Sequence, residues 1–418
     1  MTQSSGNTSK PTLLVLASTY PRWANDHEPG FVHELCRRLS DEFDVISLVP
    51  DAPNAQPDGM LDGVEVLRYR YAPRSMQTLV YNGGIAANLR RSAWKWLLVP
   101  AFVIGQYLAA RRVMKHRRID AIHAHWLLPQ GLIARRLGQR FTCPYVVTSH
   151  GGDLFGLRGR ILTKLKRRVA ASAAAMTVVS SAMRKEALRL ELCPPRLEVL
   201  PMGVDLRTRF IINPDVERSH NEIVFVGRLV RKKGLPHLLD ALPTILEQRP
   251  DTRLTIVGFG PEEKALKDQV RRLNIESQVI FLGAMAQQKL PEIYQRASVF
   301  VAPFVREDNG DQEGLPVVLM EAIGCGCPVI VGDVAGIEDL LGEMSRDVTV
   351  DAKNTAALAV AILDALANPS IAGARAQLIR EAAVERIDWN QIAQRYATLI
   401  HDCIKKFDED QAASRSVD

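Results

Sequence analysis

The chain has 418 residues, 47% of them hydrophobic and 24% charged, which is a soluble globular composition too long for one ordinary core and suited to two units of about 200 residues. The net charge of +6 divides unevenly, +12 over residues 1–205 against −6 over 206–418, so the halves differ in electrostatic character. Six scattered cysteines with no Cys-x-x-Cys pair argue against a zinc site and for reduced thiols in a cytosolic protein. The basic stretches lack the interleaved aromatics, helix-turn-helix or zinc pattern of a nucleic-acid binder.

Residues 1–10 are polar, with no secretory signal, and are expected to be disordered. Thr12–Ser18 is an apolar run of the kind that forms a buried parallel strand. After the loop Thr19–Pro29, Gly30 opens a helix that carries Phe31, Leu35 and Leu39 on one face. A glycine at such a strand-loop-helix junction lets the backbone approach a phosphate, although no G-x-G-x-x-G surrounds it. Phe43–Val49 and Val64–Tyr69 continue the strand pattern.

The apolar segment Trp96–Ala110 is shorter than the roughly 20 residues needed to span a bilayer and is interrupted by Pro100, Gly105 and Gln106. It reads as a partly buried helix, with a membrane-interface helix as the rival. The acid-free runs Arg111–Arg118 and Arg158–Arg168 fit an anionic membrane surface better than nucleic acid.

Ile119–Trp126 is the next strand, with His123 and His125 on one side because strand side chains alternate. Pro144–Ser149 follows and is closed by His150-Gly151-Gly152-Asp153. Functional groups of parallel sheets lie beyond the carboxyl ends of strands, which is where His125 and His150 fall. A histidine that merely caps a strand end is the bland alternative for each. Met176–Ser181 and Leu197–Asp205 complete the half.

The pattern then restarts with strands at Glu222–Gly227, Arg253–Gly260, Val279–Gly283, Ser298–Ala302 and Pro328–Val331, alternating with helices. Two successive βα units therefore occupy residues 11–205 and 206–388, joined near 203–221. A last helix, Trp389 to about Phe407, presents an Ile392, Tyr396, Ile400 stripe that can pack back on the first unit.

Glu313-Gly-Leu-Pro-Val-Val-Leu-Met-Glu321 sets two carboxylates eight positions apart where Gly314 and Pro316 suit a loop turning into a helix. At about 1.5 Å per residue their backbones would stand roughly 12 Å apart, whereas paired glycosidase carboxyls lie about 5 to 9.5 Å apart. The spacing favours two grips on an elongated ligand, and two solvated glutamates are the plain alternative.

Gly227-Arg228-Leu-Val-Arg-Lys-Lys233-Gly234, the Glu313/Glu321 pair, Pro201-Met-Gly-Val-Asp205 and Val334–Leu340 occur together and in order. The set resembles family 4 of the retaining glycosyltransferases, over about residues 10–405. Met202 stands where many relatives have Asn, and Gly30 is single where many have a glycine pair. The resemblance implies a GT-B fold, two Rossmann-like βα domains facing across a cleft, and a hexosyl group moved from a nucleotide-diphosphate sugar with retention and without metal or cofactor. Carried over residue by residue, it implies that Arg228 and Lys233 hold the diphosphate, Glu313 lies beside the transferred sugar and Glu321 takes the ribose. His150 comes near sugar and acceptor, and Gly30, Gly227, Gly314, Leu315, Pro316 and Val317 surround the donor. His125 and Asp153 are the acceptor-side candidates. The segment Val305–Pro316 looks most like enzymes of bacterial exopolysaccharide or lipopolysaccharide assembly, which implies a lipid-linked acceptor and a cytoplasmic enzyme, peripheral on the inner face of the membrane. A soluble sugar or sugar phosphate as acceptor, and a non-catalytic sugar-nucleotide-binding subunit, are the rival readings.

Overall fold

A computed structural model describes residues 10–415 apart from 24, 25, 27–29, 82, 83, 309, 311 and 335. The stretch expected to be disordered, 1–10, lies outside the described residues except for Lys10.

Short apolar runs buried on both faces become parallel strands. The first sheet contains β1 (Thr12–Leu16), β2 (Asp44–Pro50), β3 (Gly59–Leu61), β4 (Val64–Tyr69), β5 (Ala121–His125), β6 (Tyr145–Ser149), β7 (Ala175–Val178) and β8 (Leu197–Val199) in the order β3-β4-β2-β1-β5-β6-β7-β8. Every neighbour is parallel except the β3–β4 pair. The second sheet contains β9 (Glu222–Val226), β10 (Arg253–Val257), β11 (Val279–Gly283), β12 (Val299–Ala302), β13 (Val329–Gly332) and β14 (Thr349–Val350), all parallel, in the order β11-β10-β9-β12-β13-β14. The strand order reverses at β1/β5 in the first sheet and at β9/β12 in the second, and such switch points open crevices at the carboxyl ends of the strands.

Helices cover both faces of each sheet. In the first, Leu14, Leu16 and Ile46 lie under the layer formed by helices Leu98–His116, Leu132–Phe141 and Arg160–Ser172. Leu13, Val15 and Val45, facing the other way, meet helix Phe31–Leu39 and the last helix. That last helix runs Trp389–Arg415, and its Ile392, Tyr396 and Ile400 are fully enclosed against the first sheet. It continues past the expected end at Phe407 because the apolar stripe stops there while helix-forming Glu, Gln and Ala carry the backbone on, exposed to solvent. β3 and β14, three and two residues long, are too short to show a period in sequence.

Helix Leu98–His116 buries one face of the apolar segment. Ala93–His116 is long and apolar enough to cross a bilayer by composition, yet Leu98, Phe102, Gln106, Ala110 and Met114 form a buried row. Gln106 donates from Nε2 to the carbonyls of Ala17 at 3.2 Å and Leu48 at 3.4 Å. This row belongs to the core of the first unit.

The chain crosses between the two sheets at Val204 and again at Asp388, where the two crossings pair in a parallel bridge. Val204 N–H donates to Ile387 O at 2.8 Å and Trp389 N–H to Val204 O at 3.2 Å. A side chain at Gly203 would come within 2.8 Å of the Trp389 ring, and Arg38 sits over that indole at 5.4 Å. Trp389 is therefore the packing centre of the crossing. Trp389→Ala should cost about 3–5 kcal/mol of stability, read as a lower urea midpoint by far-UV circular dichroism; an unchanged midpoint would contradict this account of the crossing.

Candidate functional site

A cleft of about 780 Å³ lies between the two sheets, and both switch points supply its walls. On the second-sheet side, the loop after β9 carries Gly227 and Arg228, both on the cleft wall, and ends in the single turn Arg231–Lys233. Gly234 reverses the chain at φ +69, and a Cβ there would lie 1.6 Å from the carbonyl oxygen of Pro303, so a larger residue is excluded. This tight contact sets Lys232 and Lys233 against the loop after β12, where Glu313 accepts both: Lys233 Nζ at 3.3 Å and Lys232 Nζ at 3.5 Å. Burial by itself would raise the Glu313 carboxyl, but the two ammonium groups outweigh it and hold it at about 2. Burial pushes the Lys233 ammonium down, with Glu313 opposing the shift, and its Nζ lies 4.7 Å over the Phe304 ring.

Glu313 is not on the helix. The helix spans Val317–Gly324, capped by Pro316 in extended geometry at φ −79, ψ 114, because proline restricts the residue before it and suits the edge of a helix rather than its interior. The roughly 12 Å expected from continuous helical rise therefore does not describe the pair: Glu313 sits on a loop and Glu321 in the second turn. Both line the same cleft, with Leu315, Pro316 and Val317 between them. The first amides of the helix have no intrahelical acceptor and carry its positive end. Glu321 is buried and accepts from Gln287 Nε2 at 2.5 Å and Tyr294 OH at 3.1 Å. Burial lifts its carboxyl to about 7, with Gln287, Tyr294 and Arg209 restraining the rise.

Gly314 lies beside the cleft lining, where the two halves approach closely: a Cβ built on Gly151, at φ +102, would meet Gly314 Cα at 3.3 Å. On the first-sheet wall, His150 follows β6 and its ring stands 5.0 Å from both Phe31 and Trp126 and 5.2 Å, stacked, from His125. Burial and the nearby His123 push the His150 imidazole down to about 3, so it is neutral. Gly30 lines the cleft as the cap of helix Phe31–Leu39. Its φ of −89 suits any residue, and an added Cβ would meet only Pro21 at 3.8 Å.

His125 and Asp153, expected on the acceptor side, do not reach the cleft. His125 is wholly buried and holds His150 from behind, its Nδ1 2.9 Å from His150 Nε2. The buried Asp153 carboxylate accepts from the amides of Leu127 at 2.7 Å and His150 at 3.2 Å and from Ser149 Oγ at 2.9 Å. It ties the loop after β5 to the loop after β6. Both are positioning residues for His150.

Lys232, Arg209, Glu34 and Gln287 were not singled out in sequence. Glu34 on helix Phe31–Leu39 accepts from Arg38 at 2.5 Å, Arg37 at 3.1 Å and Arg209 at 3.3 Å. Arg209 also donates to Gln287 at 3.2 Å, and Gln287 in turn donates to Glu321, so a polar chain runs from one wall to the other. Its directly bonded partners are up to 175 positions apart and have no local pattern. Lys232 adjoins Lys233 and was legible as a basic run. Among the described residues, no group of three or more His, Cys, Asp or Glu is arranged to hold a metal.

Two family models match the chain, "Glycosyl transferase 4-like domain" over residues 31–203 and "Glycosyl transferases group 1" over residues 209–385. A GDP-mannose-dependent alpha-(1-6)-phosphatidylinositol monomannoside mannosyltransferase of Mycolicibacterium smegmatis is 31% identical over 280 residues, covering 65% of this chain and 72% of the relative. Among solved structures, sucrose-phosphate synthase of Thermosynechococcus elongatus matches with a TM-score of 0.76 at 20% identity, over 95% of this chain and 100% of that one. Anabaena HepE in complex with UDP and glucose matches with a TM-score of 0.72 at 17% identity, over 94% and 100%. Fold and cleft define a glycosyltransferase of the GT-B class. The chain belongs to glycosyltransferase family 4.

The two carboxylates should pull stability in opposite directions. Glu321, raised in the fold, contributes stability that is full below the ordinary carboxyl value of 4.5 and is lost as pH rises through about 7. Glu313, lowered in the fold, contributes stability present above 4.5 and lost as pH falls toward 2. Glu321→Gln should therefore abolish a loss on the order of 3 kcal/mol between pH 5 and 8, measured by urea denaturation at each pH. An unchanged pH profile would contradict the raised carboxyl.

Proposed function

We propose that the enzyme is a retaining glycosyltransferase that moves a hexosyl group from a nucleotide-diphosphate sugar to an acceptor hydroxyl. The observation that carries this reading is the convergence of Arg228, Lys233, Glu313 and Glu321 on one cleft at the switch point of the second sheet, with Lys232 paired to Glu313. The separation of Glu313 and Glu321 fits an extended donor, with the ribose hydroxyls donating to Glu321 and the sugar lying beside Glu313 and His150. Arg228 and Lys233 hold the diphosphate. Lys233 then exchanges part of its contact with Glu313 for phosphate oxygens, while Lys232 keeps the carboxylate neutralised.

In the reaction the bond from C1 of the sugar to the phosphate oxygen breaks, and the acceptor oxygen bonds C1 on the same face. The acceptor proton passes to the departing phosphate. Negative charge grows on the leaving oxygen, so cations fixed beside it bind the transition state better than the ground state. No protein nucleophile and no metal is assigned a role: Arg228, Lys233 and the amino end of helix Val317–Gly324 supply the positive charge. The acceptor is read as lipid-linked, in bacterial polysaccharide or glycolipid synthesis at the inner face of the membrane. The mycobacterial relative, named for a phosphatidylinositol monomannoside acceptor, and the basic first half support this.

Arg228→Ala combined with Lys233→Ala should lower donor turnover at least about a thousandfold, two lost charge contacts at roughly 2 kcal/mol or more each, with the circular dichroism spectrum kept. Turnover within tenfold of the parent would refute the diphosphate assignment.

A further inference from the structure

We propose that the outer face of the three-helix layer on the first sheet docks on an anionic lipid bilayer, with its apolar edge next to the mouth of the cleft. The layer consists of Leu98–His116, Leu132–Phe141 and Arg160–Ser172, and none of these helices contains Asp or Glu. From residue 93 to 172 there are 15 Lys and Arg against two acids, Asp120 and Asp153. Neither acid offsets the outer face: Asp153 is buried, and Asp120 is bound to the Thr12 amide at 2.8 Å and to Arg118 at 2.9 Å. Arg112, Lys115, Arg136, Arg140, Lys164 and Arg168 point outward and are exposed.

The same face exposes large apolar side chains. Opposite the buried row of Leu98–His116, the four-residue row Trp96, Pro100, Ile104 and Leu108 faces solvent. Trp96 is 61% exposed, Leu97 80% and Ile161 77%. Soluble surfaces tolerate isolated apolar residues, but a cluster of this kind within an acid-free basic layer has the composition of a membrane-interface helix.

Topology sets the orientation. β4, β5, β6 and β7 run parallel, so the connecting helices run antiparallel to them and begin at the carboxyl edge of the sheet, where His150 stands. Trp96, Leu97 and Ile161 lie at these amino ends, while Arg112, Lys115, Arg140 and Arg168 lie toward the carboxyl ends. A bilayer satisfies both: indole and aliphatic groups enter the interface and the cations meet anionic headgroups. A nucleic-acid backbone would satisfy the cations and leave the apolar edge in water. The inference deepens the lipid-linked reading of the acceptor and rests on it for its purpose, because it brings the cleft to where such an acceptor is anchored.

The test is sedimentation of the full chain with vesicles of phosphatidylglycerol and phosphatidylcholine in equal parts, without donor or acceptor. Binding is expected at low salt, release in about 1 M salt where the Debye length is about 3 Å, and no binding to phosphatidylcholine alone. Trp96→Ser with Leu97→Ser, and separately Arg112→Glu with Lys115→Glu, should each lower the partition roughly tenfold or more. Lys264→Glu with Lys267→Glu on the second unit should leave it unchanged. Thermal stabilisation by GDP-mannose or UDP-glucose, measured on the same variants, separates the two readings: it should survive in every variant, and its absence in the parent counts against the donor assignment alone. No association of the parent with the anionic vesicles, or association that neither pair of substitutions weakens, would overturn the proposal. So would tight binding of a short DNA duplex that the Trp96 and Leu97 substitutions leave untouched, which would make the face a nucleic-acid surface.

Discussion

A carboxylate enclosed between two lysines holds the cleft together. Glu313 is buried, and a buried charge is tolerated when it is paired and strongly disfavoured when a partner is removed. Its partners come from the other side of a switch point: Lys232 and Lys233 leave β9, Glu313 leaves β12. The ion cluster therefore fixes two loops that are distant in sequence, and the absence of a side chain at Gly234, pressed on the Pro303 carbonyl, is what lets them approach. The same cluster keeps two cations and a carboxylate ready in a site from which water is partly excluded. In such a site fixed charges act strongly.

The second constraint is the connection between the walls. Glu34 belongs to the first unit and Gln287 to the second, and Arg209 bonds both. Any separation of the walls must break one of those bonds, and the one to Gln287 leads directly to Glu321. The crossing at Val204 and Asp388, packed around Trp389, is a second tie between the units. The position of Glu321 is thus linked to how the two units sit on each other.

Much of the fold was legible because its strands are continuous apolar runs that alternate with helices. Val64–Tyr69 was read at its full length, and the Ile392, Tyr396, Ile400 stripe correctly placed the last helix on the first sheet. The cleft was legible where chemistry is concentrated in a short motif, as in Arg228 to Lys233. It was not legible where the third dimension decides. Pro316 caps the helix three residues after Glu313, so the helical spacing of the two carboxylates did not hold. His125 and Asp153 occupy the right end of the sheet but turn away from the cleft to hold His150. Arg209 and Glu34 left no trace in sequence, since their meaning arises only when residues 175 positions apart come together.

Calorimetric titration of a bare nucleoside diphosphate into Glu321→Ala and Glu313→Ala variants tests the central claim most directly, because it asks whether the two carboxylates serve different ends of one ligand. The account predicts at least a tenfold loss of affinity for Glu321→Ala, equivalent to about 1.4 kcal/mol, and a clearly smaller loss for Glu313→Ala. Equal losses would contradict it.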